Sequence, residues 1–255
     1  MTRAAWRIRL GQSSVVAALL LGWQAAALQV GPVFLPSPAA AVGTIVGGLR
    51  EGWLVGHLAT TLWETFWGYV WAASIGLVIG FALGQSRLLR EAYEGPLLSL
   101  YSIPKVTLFP IFLFAFKLGP ASKIAFGAFH GLFPIAIYTW TAMRTINPVH
   151  LKVARALRLG PLATFVRIVV PAVLPAIVTG LRLGFNLTFL GVLLGEMFAS
   201  RAGLGFLLMS FGAAFDMERI LAVILTVSLL ALAINALLLA LERRIRGGAP
   251  EVRVA

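Results

Sequence analysis

RTINPVHLKVARALRLGPLATFVRIVVPAVLP, residues 144–175, is the stretch that decides how this chain is built. It lies between two long apolar runs and carries Arg144, Lys152, Arg155, Arg158 and Arg167. It is too long and too basic to be a tight turn between two spans, and it has helix signals of its own. Asn147 is suited to cap a helix, and Pro148 to open it, because the first helical N–H has no partner to lose. The pattern predicts a helix from there to Leu159. At roughly 100° per residue, Lys152, Arg155 and Arg158 fall within about 120° of one another. Val153, Ala154, Ala156 and Leu157 take another face, with Leu151 breaking the separation. Gly160 offers a C-terminal turn, and Pro161 opens a second helical piece striped by Leu162, Phe165, Val166 and Val169. Pro171 and Pro175 set that piece apart from the next apolar run. The expected element is therefore two short helices with their turn at Gly160-Pro161. On the residues alone, two readings stand: an interfacial helix with its arginines on anionic lipid, or a docking element for a soluble protein.

Outward from this loop the chain is apolar. A membrane span needs about 20 mostly apolar residues. Six such runs are present, at about 12–30, 60–83, 97–116, 122–143, 177–199 and 220–241. In the first, Gln24 and Gln29 interrupt the run, and Ala25-Ala26-Ala27 after a basic start also fits a signal-peptidase site. A retained helix and a cleaved signal are both open there. Over the whole chain 60% of residues are hydrophobic, 12% are charged, and the mean hydropathy is +0.93. A soluble domain cannot hide that much apolar surface, whereas a bilayer accepts it. The fold expected is all-α: a polytopic membrane helix bundle forming one domain over residues 1–255, with 144–175 as a loop within it.

The net charge of +12 would suggest nucleic acid in a soluble protein. Here the basic residues sit in short loops between spans. With the N-terminus inside, the inner side holds Arg3, Arg7, Arg9, Arg87, Arg90, Arg144, Lys152, Arg155, Arg158, Arg167, Arg243, Arg244, Arg246 and Arg253, fourteen in all. The outer side holds five, Arg50, Lys117, Lys123, Arg201 and Arg219. Lys105 and Arg182, placed near span ends, are left out of that count. The positive-inside rule then puts both termini and the 144–175 loop in the cytoplasm of an inner-membrane protein, with no nucleic-acid partner. A short surface helix is expected on the outer side within 36–58. Residues 200–219 either close the bundle or meet a periplasmic partner.

Few residues suggest chemistry within the membrane. Glu64 and Glu196 lie near outer span ends, and Arg182 just inside the cytoplasmic start of the fifth span. Glu196 is a candidate for a gate or an inter-subunit contact. Arg182 can snorkel to headgroups, bind an anion or pair across a dimer. His130, flanked by Gly127 and Gly131, reads as a packing histidine. Gly76, Gly80 and Gly84 have the spacing of close helix contacts. Three scattered histidines and no cysteine give no metal spacing, and no set of nucleophile, base and carboxylate converges in the spans.

The order of these segments resembles the permeases of binding-protein-dependent ABC importers, within them the nitrate/sulfonate/taurine group. The resemblance is carried by KVARALR at 152–158 and FVRIVVPAVLP at 165–175. It continues in TGLRLG at 179–184, GEM at 195–197, GLG at 203–205 and LERRIRG at 241–247. Upstream, HLATTLWETFWGY at 57–69, IPKVTLFPIFLFAFKLGPASK at 103–123 and GLFPIAIYTW at 131–140 fit as well. Two positions depart from the family pattern: Lys152 stands where a glutamate is usual, and Arg158 where a glycine is usual.

The resemblance implies a type I importer permease that performs no catalysis. It implies a coupling loop, formed by Lys152, Ala154, Arg155, Ala156, Arg158, Gly160, Pro161, Phe165, Pro171 and Pro175, seated on an ATPase subunit. It also implies an extracytoplasmic binding protein, a homodimer of permease chains in membrane lipid, and a small anion such as a sulfonate or nitrate as substrate. ATP would be bound by the partner ATPase. This chain has no Gly-Lys dipeptide and so no phosphate loop, and it needs no cofactor of its own. The rival reading is a secondary transporter or channel not coupled to ATP. Such proteins rely on buried charges, broken helices in matching repeats or a filter sequence. No repeat is visible here, and the middle of the spans looks almost free of charge.

Overall fold

The computed structural model describes residues 3–247; Arg253, one of the basic residues counted above, lies outside them. Every regular element among the described residues is helical. They are α1 (Arg3–Val30), α2 (Pro38–Glu51), α3 (Trp53–Gln85), α4 (Arg87–Ser102), α5 (Phe109–Phe116) and α6 (Pro120–Arg144), followed by α7 (Pro148–Ala156), α8 (Pro161–Thr164), α9 (Val170–Ala199), α10 (Leu204–Ala213) and α11 (Met217–Gly247). Five stretches are long and apolar enough to cross a membrane: Ser13–Val30, Trp53–Gln85, Pro120–Arg144, Pro161–Ala199 and Met217–Arg244. A sixth crossing is made by α4 and the 105–116 segment taken together.

The core is a sandwich of α3, α6 and α9 held at close range by glycine. A Cβ on Gly76 of α3 would sit 2.8 Å from the carbonyl oxygen of Leu132 on α6. One on Gly184 of α9 would sit 2.5 Å from the Ile135 side chain of α6. Lipid tails are as apolar as leucine, so helices in a bilayer associate by close packing, and small residues permit it. The same contacts fix direction. Along α3 and α6, Gly68 meets Ala128 and Gly84 meets Met143, so these two helices run parallel. Along α6 and α9, Gly195 meets Lys123 and Gly180 meets Tyr138, so α9 runs back. Met143, Gly84 and the start of α9 share one end, the loop face. Lys123 and Gly195 share the other, the far face.

Because α3 and α6 are parallel, residues 86–119 must cross the membrane between them. They cross bent, not as the straight span expected over 97–116. Two helices meet there at 92° around a 3₁₀ turn, Lys105–Leu108. The cause is Ile103-Pro104. A residue before proline is pushed out of the α region, and Ile103 is extended at φ −63°, ψ 136°. Lys105 therefore falls in the middle of the crossing and not near its end. The middle of the spans carries charge after all.

The fifth span is also longer than expected. It does not begin at 177 after a proline break but runs back to Pro161. A π turn over Phe165–Val169, closed by the Val170 N–H on the Phe165 carbonyl, lies immediately before Pro171. Proline lacks the N–H for a normal helical bond and crowds the carbonyl four residues back, and the wider turn accommodates both defects. Thus α8, the π turn and α9 form one rod.

At the far face, Ser37 caps α2 by accepting the Ala40 N–H at 3.2 Å. Thr44 of α2 is hydrogen-bonded to Glu218 at the start of α11. Residues 200–219 close the bundle: Leu204 and Leu207 of α10 join Leu54, Phe185, Phe189, Leu193 and Val223 in a buried cluster.

Candidate functional site

The loop between α6 and α9 forms an exposed element. Asn147 caps α7, its Oδ1 accepting the Val149 N–H at 2.9 Å. The helix stops at Ala156, three residues before the expected end at Leu159. The Arg158 N–H then donates to the Arg155 carbonyl, and the Leu159 N–H to the Ala154 carbonyl, both at 3.0 Å. This pair of bonds is the Schellman closure, which requires a left-handed residue just after the cap. That residue is Arg158, at φ 48°. Gly160, expected to make the turn with Pro161, is instead extended at φ −65°, ψ 165°. The proline after it favours this, since it disfavours the helical region for its predecessor. The left-handed step falls on the position where the family pattern has glycine.

Ala154 of α7 is buried, 2% exposed, and α7 packs against the π turn. Phe165 stacks edge-on against Phe81 of α3, with ring centroids 5.1 Å apart. These contacts tie α7 to the α9 rod and the rod to α3. The other candidate residues face outward. Lys152, Arg155, Ala156, Arg158, Gly160, Pro161 and Pro171 are exposed, while Pro175 is half-buried inside α9. Beside the cations runs an apolar stripe, Val149, Val153 and Leu157, four residues apart and each at least 45% exposed. Leu162 and Val166 extend it. A push on α7 reaches a rigid rod that ends at the opposite face of the bundle.

The far face holds the second site, and it is closed. Glu196 is 1% exposed and accepts the Thr61 hydroxyl at 2.8 Å and the Gly205 N–H at 2.8 Å. Thr61 Oγ1 in turn accepts the Leu204 N–H at 2.8 Å, and His57 Nδ1 the Gly203 N–H at 3.0 Å. Glu64, fully buried, pairs with Lys123 Nζ at 2.9 Å, and that ammonium also donates to Ser200 Oγ at 2.8 Å. Glu64 also approaches the Glu196 carboxyl. One clamp thereby joins α3, α6, α9 and the entry to α10. Gly203, at φ 108°, lets the backbone pass directly over the Glu196 carboxylate.

Sequence reasoning singled out Glu196 but read Lys123 as an outer loop charge and missed Thr61, His57 and Ser200. Lys123 sits in the first turn of α6 beside the apolar run, and only the fold shows that it points inward. Arg182 meets Glu242 of the same chain, Nε to Oε2 at 3.0 Å, and Thr179 donates to that carboxylate at 2.7 Å. This pair clamps α9 to α11 near the loop face.

Comparison with known proteins gives one family. Residues 72–247 match the family described as "Binding-protein-dependent transport system inner membrane component". The chain is 28% identical to the Escherichia coli taurine transport system permease protein TauC, over 95% of this chain and 93% of that protein. It is 27% identical to the Bacillus subtilis SsuC, a putative aliphatic sulfonates transport permease, over 85% and 78%. It is 31% identical to the nitrate import permease protein NrtB of Leptolyngbya laminosa, over 74% and 68%. Among solved structures, the inward-facing MetNI methionine ABC transporter has the same fold. Its TM-score is 0.67 at 19% identity, covering 75% of this chain and 95% of that one. The bundle, its exposed loop and the family match lead to one conclusion: the chain belongs to the binding-protein-dependent inner-membrane permeases, the membrane component of an ABC importer that works with an ATPase and a substrate-binding protein.

Proposed function

We propose that two copies of this chain form the substrate path of an importer for small sulfonate- or nitrate-like anions, and that α7 is the element seated on the ATPase subunit that binds ATP. The loop face is then cytoplasmic, with both termini on that side, in keeping with fourteen basic residues there against five on the other. The observation that carries the docking role is the exposed stripe of Val149, Val153 and Leu157 beside Lys152, Arg155 and Arg158. An apolar stripe flanked by cations suits a groove with acidic edges better than solvent. Lys152 and Arg158 add positive charge, so the matching edge of the ATPase is acidic. Arg182 and Glu196 serve as internal clamps that keep neighbouring helices moving together when α7 is pushed. The substrate class is supported by the transport named for TauC, SsuC and NrtB.

Two measurements test this. The permease is co-expressed with candidate ATPase and binding-protein subunits, and the detergent-solubilised complex is isolated. Arg155→Glu is expected to lose the ATPase, or its coupling to transport, while inserting in the membrane normally; an unchanged transport rate would remove the docking surface. Calorimetry on the binding protein with taurine, alkanesulfonates and nitrate tests the substrate, and exclusive binding of a neutral heterocycle would overturn the anion assignment.

A further inference from the structure

The bent crossing between α3 and α6 puts a cation where a bilayer does not tolerate one. Lys105 Nζ lies 5.3 Å from the ring centroid of Phe133. Phe133 is ten residues along α6 from Lys123 at the far face and ten from Met143 at the loop face. At about 1.5 Å per residue, that is about 15 Å from either end, the middle of a hydrocarbon layer of about 30 Å. Among the described residues the ammonium makes one hydrogen bond, to the Tyr101 carbonyl at 2.8 Å, and lies over the Tyr101 ring at 4.3 Å. An ammonium has three N–H donors. Among the described residues no carboxylate lies within ion-pair distance of it.

The surface around it is open and irregular. Ile103 and Pro104 belong to neither helix, and Tyr101, Ile103, Pro104, Val106 and Thr107 are exposed. Lipid satisfies neither irregular backbone nor an unpaired charge. Such segments persist at membrane depth only against protein or along a water-filled cavity. The irregular stretch around Ile103, Pro104 and Lys105 therefore faces away from lipid. A half-buried cation facing that space lacks a counter-charge, and a passing anion supplies one. Cationic side chains lining a pore select anions in just this way.

The geometry points to Lys105 as a substrate-contacting residue midway along the translocation path, binding the oxyanion group of a small sulfonate or nitrate. This rests on the anion reading of the transporter, and the experiment separates the two. The complete transporter, with ATPase and binding protein, is placed in proteoliposomes, and uptake of labelled taurine, methanesulfonate and nitrate is followed. Uptake of at least one tracer by the parent tests the anion reading; uptake of none overturns both. Lys105→Met is expected to lower that uptake at least about tenfold, with ATP hydrolysis stimulated by the loaded binding protein retained and Lys105→Arg keeping most of the transport. Equal uptake by Lys105→Met would overturn the assignment while leaving the anion reading intact.

A second measurement does not depend on turnover. The chain has no cysteine, so Lys105→Cys is a single reporter. In the assembled transporter it should react with a sulfonated methanethiosulfonate reagent from the aqueous phase. Leu232→Cys, at a residue 65% exposed on α11, should remain unlabelled in lipid. Absence of labelling at position 105 would overturn the placement on the path, whatever the uptake data show.

Discussion

The two faces of this bundle solve opposite problems with similar residues. At the far face Glu64, Lys123 and Glu196 are each at least 95% buried and linked to one another, to hydroxyls and to backbone N–H groups. At the loop face Lys152, Arg155 and Arg158 stand exposed beside exposed Val153 and Leu157. A buried ion pair is not a strong source of stability, because desolvation offsets most of the attraction. Its effect is specificity: only one register of α3, α6, α9 and α10 satisfies all its members. Among the described residues Lys152, Arg155 and Arg158 make no ion pair within the chain. They are available to another protein. One end is closed on itself, and the other leaves its cations and apolar stripe exposed.

The largest effect that tests this contrast is expected from Lys123→Met. It leaves the Glu64 carboxylate buried without its cation, which costs about 3–5 kcal/mol when one member of such a pair is removed. Yield and melting temperature of the purified protein should fall sharply, and the double substitution Glu64→Leu with Lys123→Met should recover much of the loss. A single variant as stable as the parent would mean that the far face is not a clamp. Gly203→Ala comes next. Its φ of 108° and the Glu196 carboxylate beneath it leave no room for a methyl group, so a loss of about 1–3 kcal/mol is expected. Arg155→Glu should behave in the opposite manner, with an unchanged melting temperature but a lost ATPase.

The contrast was only partly legible in the sequence. Apolar runs located the crossings because hydrophobicity is summed over many residues and survives local errors. Asn147-Pro148 marked the start of α7 because capping is a local matter. The bent crossing was hidden because hydropathy sees the apolar side chains around Ile103-Pro104 but not the backbone restriction there. The far-face clamp was hidden for a different reason. Glu64 and Lys123 lie 59 residues apart, Thr61 and Glu196 135 apart, and nothing local records such pairings. The same holds for Arg182 and Glu242, 60 residues apart. Local chemistry could be read directly, whereas pairings made by the fold could not.

The smallest predicted effect is the sharpest test of the loop face. Arg158 occupies the left-handed turn residue that ends α7, a conformation in which a side chain costs about 1 kcal/mol and glycine costs nothing. Gly160 cannot take over the role, because Pro161 holds it extended. Were the turn all that mattered, glycine would serve better at 158; under the docking role proposed for α7, what the arginine adds is its exposed guanidinium. Arg158→Gly should therefore raise local stability by about 1 kcal/mol, seen as slower amide exchange at Leu159, whose N–H closes the turn. It should also weaken ATPase association by removing a cation. Arg158→Lys keeps charge and strain together and should leave both measurements near the parent. If Arg158→Gly tightens the turn and ATPase binding together, the arginine contributes only strain, and the acidic partner edge inferred from it must be given up.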